Sequence, residues 1–230
     1  MTRELTWDHC VNVRDLGGLG AIRPRALIRM EAPTRLSESG WAALWDYGVR
    51  TMLDLRAADE CPPDDAPRPA GITTVRVPLD PVGTPFYEHW VQLDNLSSPL
   101  YFPAMLAEHP APVIAAVRAI AAAPPGGVVF HCAGGKDRTG LLALVLLAFA
   151  GATPAEIIAD YLVTYDRMQP LYDEEGYPDV LGRMVTILER HETTVEASLT
   201  STVTSLRMPD FLLQNGLSAA DVDALRARLT

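Results

Sequence analysis

The sequence predicts an α/β domain with a small, mostly parallel central sheet flanked by helices and a largely helical C-terminal half. Three observations carry that expectation. Short apolar, β-branched runs alternate with helical patterns through the first part of the chain. A short glycine-bearing loop joins the last of these runs directly to an apolar helix. Beyond that loop, helix-start signals follow one another with no strand pattern between them. The 230 residues are 48% hydrophobic and 21% charged, enough to bury one sizeable core, and the prolines and glycines are spread out rather than gathered in a linker. A single domain over 1–230 is therefore expected.

Each element has its own signal. Ser37 can cap a helix over 38–47, with Trp41, Leu44 and Trp45 at helical spacing and Gly48 placed to end it. Residues 49–55 (VRTMLDL) then read as a buried strand closed by the charged stretch 56–60. The four prolines within 61–69 exclude regular structure and predict a loop. A second strand is expected over 72–78, followed by an alanine-rich helix over 110–123 and a Pro-Pro-Gly-Gly turn. The next strand is 128–131, and the helix after it runs from about 138 to 150. Thr153, Pro154 and Glu156 form a capping box that opens another helix, and further helices are expected over 178–192 and 218–229.

Composition removes several functions. With 29 acidic against 19 basic residues, the formal charge of -10 disfavours binding to a phosphate backbone, so no nucleic-acid partner is expected. The longest apolar run, 141–150, is half of the roughly 20 residues a membrane helix needs, which predicts no integral membrane segment. Three widely spaced cysteines, Cys10, Cys61 and Cys132, frame neither a zinc site nor a disulfide scaffold, so no metal and no cofactor are expected. Trp7, Asp8 and His9 stand where a secretory signal would need its apolar core, which reads as cytoplasmic and leaves open export without a signal peptide.

The chemistry concentrates in residues 128–140, VVFHCAGGKDRTG, where a strand ends at His131-Cys132 and a helix begins near Arg138. Such a loop can turn backbone N–H groups inward, and the helix directs its positive end at the same spot, so an anion of phosphate size is favoured there. Ala133, Gly134, Gly135, Lys136, Asp137 and Arg138 are the candidate phosphate-binding residues. Cys132 lies at the lip, where the same field favours a nucleophilic thiolate, and Thr139 could donate a hydroxyl hydrogen bond to its sulfur. Arg138, six positions on, can grip two phosphate oxygens with a planar fork.

This string resembles the P-loop of cysteine-dependent phosphatases, and the full HCAGGKDRTG of 131–140 is similar to that of bacterial atypical tyrosine and lipid phosphatases. Flanking segments extend the resemblance: 12–18 (NVRDLGG), Asp54-Leu55-Arg56 with Glu60 nearby, Asp160-Tyr161-Leu162, and Gly216-Leu217-Ser218. It implies a phosphotyrosine-phosphatase-like fold and a phosphomonoesterase working through a phosphocysteine. The implied substrates are phosphotyrosine, with phosphoserine, phosphothreonine or phosphoinositides beside it, so the partner is a phosphorylated protein or a phosphoinositide. His131, Thr139, Arg14, Asp15, Asp54 and Arg56 are implied in support. Two departures stand out: 29–33 reads Arg-Met-Glu-Ala-Pro where the family often has Arg-Ser, and Val13 replaces an aromatic.

His131 is expected to orient the loop through a backbone hydrogen bond rather than to transfer protons. Lys136 is expected to give a second anion contact, and Asp54 to pair with Arg56. The general acid has two candidates. Asp80 follows a strand and is favoured, because Asp137 is flanked by Lys136 and Arg138, which would hold it as a carboxylate. Phe86, Tyr87, Trp90, Tyr101 and Phe102 in 81–103, with Tyr172 and Tyr177 in 168–178, are candidate rims or lids. Two alternatives remain: a rhodanese-type sulfurtransferase, whose cysteine also sits in a strand-loop-helix cradle, and a catalytically idle phosphate-binding module.

Overall fold

The computed structural model describes residues 3–61 and 66–230. Five strands form one sheet: β1 (Arg14–Asp15), β2 (Leu27–Met30), β3 (Val49–Asp54), β4 (Thr73–Arg76) and β5 (Gly127–His131), in the spatial order β1-β2-β5-β3-β4. Only β1 runs antiparallel to its neighbour; β2, β5, β3 and β4 are parallel. The expected architecture is present, with α1 (Glu38–Tyr47) crossing from β2 to β3. The chain from β4 back to β5 carries α2 (Pro85–Gln92), α3 (Tyr101–Glu108) and α4 (Pro110–Ala122). The C-terminal half is helical: α5 (Asp137–Phe149), α6 (Pro154–Glu174), α7 (Val180–Arg190), α8 (Val195–Ser205), α9 (Asp210–Gln214) and α10 (Ala219–Leu229).

The strands place two cores because successive side chains alternate faces. Leu53, Leu55, Val128 and Phe130 face a large core shared with α3, α4, α5, α6, α8 and α10. Ile28, Met30, Met52 and Val129 face a smaller one closed by α1 and Trp7. Nine consecutive residues of α5, Thr139 to Leu147, are buried, which explains why that helix is apolar on every side.

Several elements differ from expectation in ways packing explains. β1 and β2 were not expected: β2 is a fully buried LIRM segment whose central arginine hides it from a hydrophobic-run reading. The aromatic stretch at 81–103 folds largely into α2 and α3, and Phe102 is a core residue rather than a rim, while Tyr101 is buried but still lines a cavity. The Thr153 capping box forms as expected, but α6 continues through Pro170 to Glu174, taking in much of the segment expected as a rim. Of the proline-rich loop expected at 61–69, residues 62–65 lie outside the described residues. Among the described residues, no helix is long and apolar enough to cross a membrane.

Candidate active site

Parallel strands deliver their C-terminal ends to one edge, and the central strand β5 delivers the loop 132–136 there, at the N-terminus of α5. Pairing continues past β4: Val77 N–H donates to the Asp54 carbonyl at 2.9 Å and Leu79 N–H to that of Leu55 at 3.1 Å. Leu55 N–H in turn donates to the His131 carbonyl at 2.9 Å, so Asp80, Asp54 and Cys132 emerge at one edge of the sheet.

The loop's carbonyls are pinned one after another on its buried side. That of Cys132 meets His131 Nδ1 at 3.0 Å; that of Ala133 accepts from Ala32 N–H at 2.7 Å; that of Gly134 from Asn12 Nδ2 at 3.0 Å. The Gly135 carbonyl accepts from Arg29 Nη2 at 2.8 Å, and that of Lys136 from Gly140 N–H at 2.8 Å. With the carbonyls turned away, the N–H groups of Ala133 to Lys136 are left for an anion, the arrangement of a phosphate nest. Two glycines permit it. Gly135 has φ 67° and passes so close to the Met30 carbonyl that a Cβ would collide with it, and a Cβ on Gly134 would strike the Tyr172 hydroxyl.

Cys132 is buried at the start of this nest. Arg138 lies in the first turn of α5, where its guanidinium is held by both oxygens of Glu60, Nη2 to Oε2 at 2.8 Å, and its Nε is 3.4 Å from Asp80 Oδ2. Burial pushes the Asp80 carboxyl up to about 6, against the attraction of Arg138 and with help from Glu60 and Asp137. Burial also pulls His131 down to about 4, so this ring is neutral at neutral pH, its Nδ1 on the Cys132 carbonyl and 3.9 Å from Asp54.

Other expected residues are placed differently. Lys136 Nζ donates to Asp137 Oδ1 at 2.6 Å and to the Ser97 carbonyl at 3.1 Å, over the Tyr165 ring, an internal clasp. Thr139 Oγ1 is buried with no hydrogen-bond partner among the described residues; the expected bond to the Cys132 sulfur is not formed. Asp54 and Arg56 make a two-pronged pair, both contacts 2.9 Å. Arg14 is buried beneath the loop and reaches it through Asn12. Asp15 instead ties the N-terminal turn, accepting from Gly17 and Arg25 N–H at 2.7 Å and from the Tyr47 hydroxyl.

Sequence reading missed Asn12 as an individual contributor, and with it Arg29 and Glu31, whereas Tyr172, an expected rim residue, does sit against Gly134. A signal existed for Arg29, since a guanidinium inside a buried strand is costly unless it is paired. Glu31 accepts from Val11 N–H at 2.7 Å and Asn12 N–H at 3.1 Å and so sets Asn12 against the loop.

Residues 5–230 match the profile of the tyrosine phosphatase family. The chain belongs to that family. It is similar to a tyrosine-protein phosphatase from Nostoc commune, 35% identical over 167 residues that cover 67% of this chain and 54% of that protein. A relative from Cupriavidus necator, bearing the same description provisionally, is 30% identical over 181 residues, 71% of this chain and 64% of that protein. The chain thus spans between about half and two thirds of the length of these curated relatives.

Proposed function

We propose that the protein is a phosphomonoester hydrolase acting on phosphotyrosine through a phosphocysteine on Cys132. The observation that supports this reading is the row of hydrogen-bonded carbonyls from Cys132 to Lys136, which leaves the loop amides beside Cys132 to receive an anion.

The Cys132 thiolate attacks phosphorus, the P–O bond to the leaving oxygen breaks, and the proton on Asp80 passes to that oxygen. Water then attacks the phosphocysteine, Asp80 takes its proton, and inorganic phosphate leaves as the thiolate is restored. Arg138 and the loop amides hold the three equatorial oxygens throughout. A carboxyl raised to about 6 can give and regain a proton near neutral pH, which supports Asp80 as general acid. Asp137 is occupied by the Lys136 ammonium, which supports a structural role for it.

Beside Arg138 and Asp80 lies a cavity of about 280 Å³, walled by Tyr87, Trp90 and Tyr101 and carrying Asp94 and Asp137. Aromatic walls suit an aryl leaving group, and its carboxylates disfavour the additional phosphates of an inositol headgroup, so we favour phosphotyrosine over phosphoinositide, with phosphoserine and phosphothreonine as slower substrates. The paired Arg138–Asp80 couple supports phosphate over a sulfurtransferase substrate, and intact Cys132 with Arg138 supports an active enzyme over an idle binding module.

The test is Cys132→Ser assayed with a phosphotyrosine peptide, together with acid-quench trapping of the wild-type phosphoenzyme. Turnover should vanish in the variant while inorganic phosphate still binds, and label should appear on Cys132. Retained hydrolysis, or sulfur transfer from thiosulfate by the wild type, would defeat the reading.

A further inference from the structure

Beneath the loop, on the side away from the anion nest, a single carboxylate gathers three arginines. Asp160, in α6, accepts from Arg14 Nε at 2.9 Å and from Arg29 Nη1 at 2.6 Å, and Arg3 also reaches it. Asp160, Arg14 and Arg29 are all buried. Burial works against the ionised carboxyl, but the attraction of Arg29 and Arg14 outweighs it and holds Asp160 below the usual carboxylate range.

Arg29 reaches the loop directly and Arg14 reaches it through Asn12, its Nη2 going instead to the Asp160 carbonyl at 2.8 Å and Thr164 Oγ1 at 2.9 Å. Arg29 turns Nη2 to the Gly135 carbonyl at 2.8 Å. Arg14 turns Nη1 to Asn12 Oδ1 at 2.6 Å, which leaves the other end of that amide, Nδ2, to donate to the Gly134 carbonyl at 3.0 Å. Two arms therefore run from one carboxylate to two adjacent glycine carbonyls. Both glycines lack the side chain that would otherwise restrict their peptide planes, so those carbonyls need an external hold. The hold is expensive: Arg29 Nε is buried without a hydrogen-bond partner among the described residues, a cost that an apolar residue in β2 would avoid.

We propose that Asp160, Arg14, Arg29 and Asn12 are positioning residues, a two-armed relay that fixes the Gly134 and Gly135 peptide planes so that their neighbouring amides face the transferring phosphoryl group. The inference rests on the phosphatase reading for its consequence in turnover, but the geometry it describes is one of phosphate binding.

The experiment separates the two. In a Cys132→Ser background, affinity for inorganic phosphate is measured by calorimetry for Asn12→Asp, Arg29→Lys and Asp160→Asn, and thermal melts report folding. Asn12→Asp keeps the shape and the acceptor for Arg14 but sets an acceptor against the Gly134 carbonyl; Arg29→Lys keeps the charge facing Asp160 but cannot span to Gly135. Each should weaken phosphate binding about tenfold while melting cooperatively. With Cys132 intact, the same changes should weaken vanadate inhibition by at least as much, because the trigonal transition state uses more of the amides.

A merely structural role would lower the melting temperature and leave both affinities of the folded protein unchanged, and that result in Asn12→Asp and Arg29→Lys would overturn the inference even if Asp160→Asn fails to fold. Weakened phosphate binding in the variants, together with no turnover by the wild-type chain, would keep the relay and defeat the phosphatase. Intact turnover with unchanged phosphate affinity in the variants would do the reverse.

Discussion

The two sides of the loop are built in opposite ways. The carbonyl side is buried and ties backbone to side chains that cannot move independently: Ala32 N–H, Asn12, Arg29 and the Asp160 carboxylate behind them. The other side is half open and ties one side chain to another: Glu60 to Arg138, Arg138 to Asp80, Lys136 to Asp137. The first arrangement resists change in geometry; the second can change partners when an anion arrives. In the proposed mechanism, Arg138 redirects its fork from Glu60 to phosphate and Asp80 changes protonation in each half-reaction. A rigid amide frame beside exchangeable ion pairs is a division of work suited to a group whose charge is held constant while protons come and go.

The largest expected effect lies on the exchangeable side. Arg138→Lys should lower kcat on a phosphotyrosine peptide on the order of a hundredfold or more, because a point charge cannot replace two parallel donors on the equatorial oxygens. Steady-state kinetics with matched melting curves would check it, and an unchanged kcat would make Arg138 a structural partner of Glu60 only.

Next comes the acid. Asp80→Asn should slow an alkyl phosphate or phosphoserine peptide by roughly 10²-fold and a nitrophenyl ester far less, since the nitrophenolate leaves without a proton. Asp80 is raised to about 6 by burial, so the wild-type rate on a poor leaving group should fall as pH rises through about 6, and this alkaline limb should be absent in the variant. If Asp137→Asn shows the leaving-group dependence and Asp80→Asn does not, the acid sits inside the loop instead.

A smaller effect is expected at Glu60, which preorients the fork without contacting substrate. Glu60→Gln should raise KM for the peptide several-fold and leave the leaving-group dependence intact, because the guanidinium would lose its charge-assisted hold but not its donors. A loss of kcat as large as that of Arg138→Lys would mean that Glu60 fixes the fork in the transition state too.

The same division explains what could be read from the sequence. The loop string 131–140, the β5-to-α5 connection and Asp80 after a strand were all legible, because each is local: a run of residues, a cap, a spacing. The parallel sheet and helical second half followed from alternating patterns in the same way. What stayed hidden is non-local. Asp160 meets Arg29 across 131 positions, and Asn12 meets Gly134 across 122, with nothing in either segment to announce the other. The Lys136 clasp is hidden in the same way, since local spacing cannot show that Ser97 accepts from its amine. Thr139 was misread because a hydroxyl adjacent in sequence to Arg138 turns into the buried side of α5.

The smallest expected effect concerns stability, and it separates the two sides by sign. A carboxyl whose folded pKa is raised binds its proton more tightly folded than unfolded, so its ionisation destabilises the fold. For Asp80 the window runs from the ordinary value of 3.8 to about 6: below it both states are protonated and nothing is lost, and above it the penalty is complete. Asp80→Asn removes that penalty and should stabilise the protein at pH 7 by on the order of 1–3 kcal/mol, with the gain gone by about pH 3.5. Asp160 has the opposite sign. Its folded pKa is depressed, so its ion pairs stabilise above the ordinary carboxylate range and are lost as pH falls through and below that range. Asp160→Asn should therefore destabilise at pH 7, and its deficit should shrink on acidification. Denaturant melts of both variants from pH 3.5 to 7.5 would show two differences of opposite sign, the Asp80→Asn gain vanishing toward the acid end while the Asp160→Asn deficit persists and only begins to shrink there. A stabilised Asp160→Asn at pH 7 would mean that the buried carboxylate costs more than its arginines return, and that the frame is held by hydrogen bonding alone.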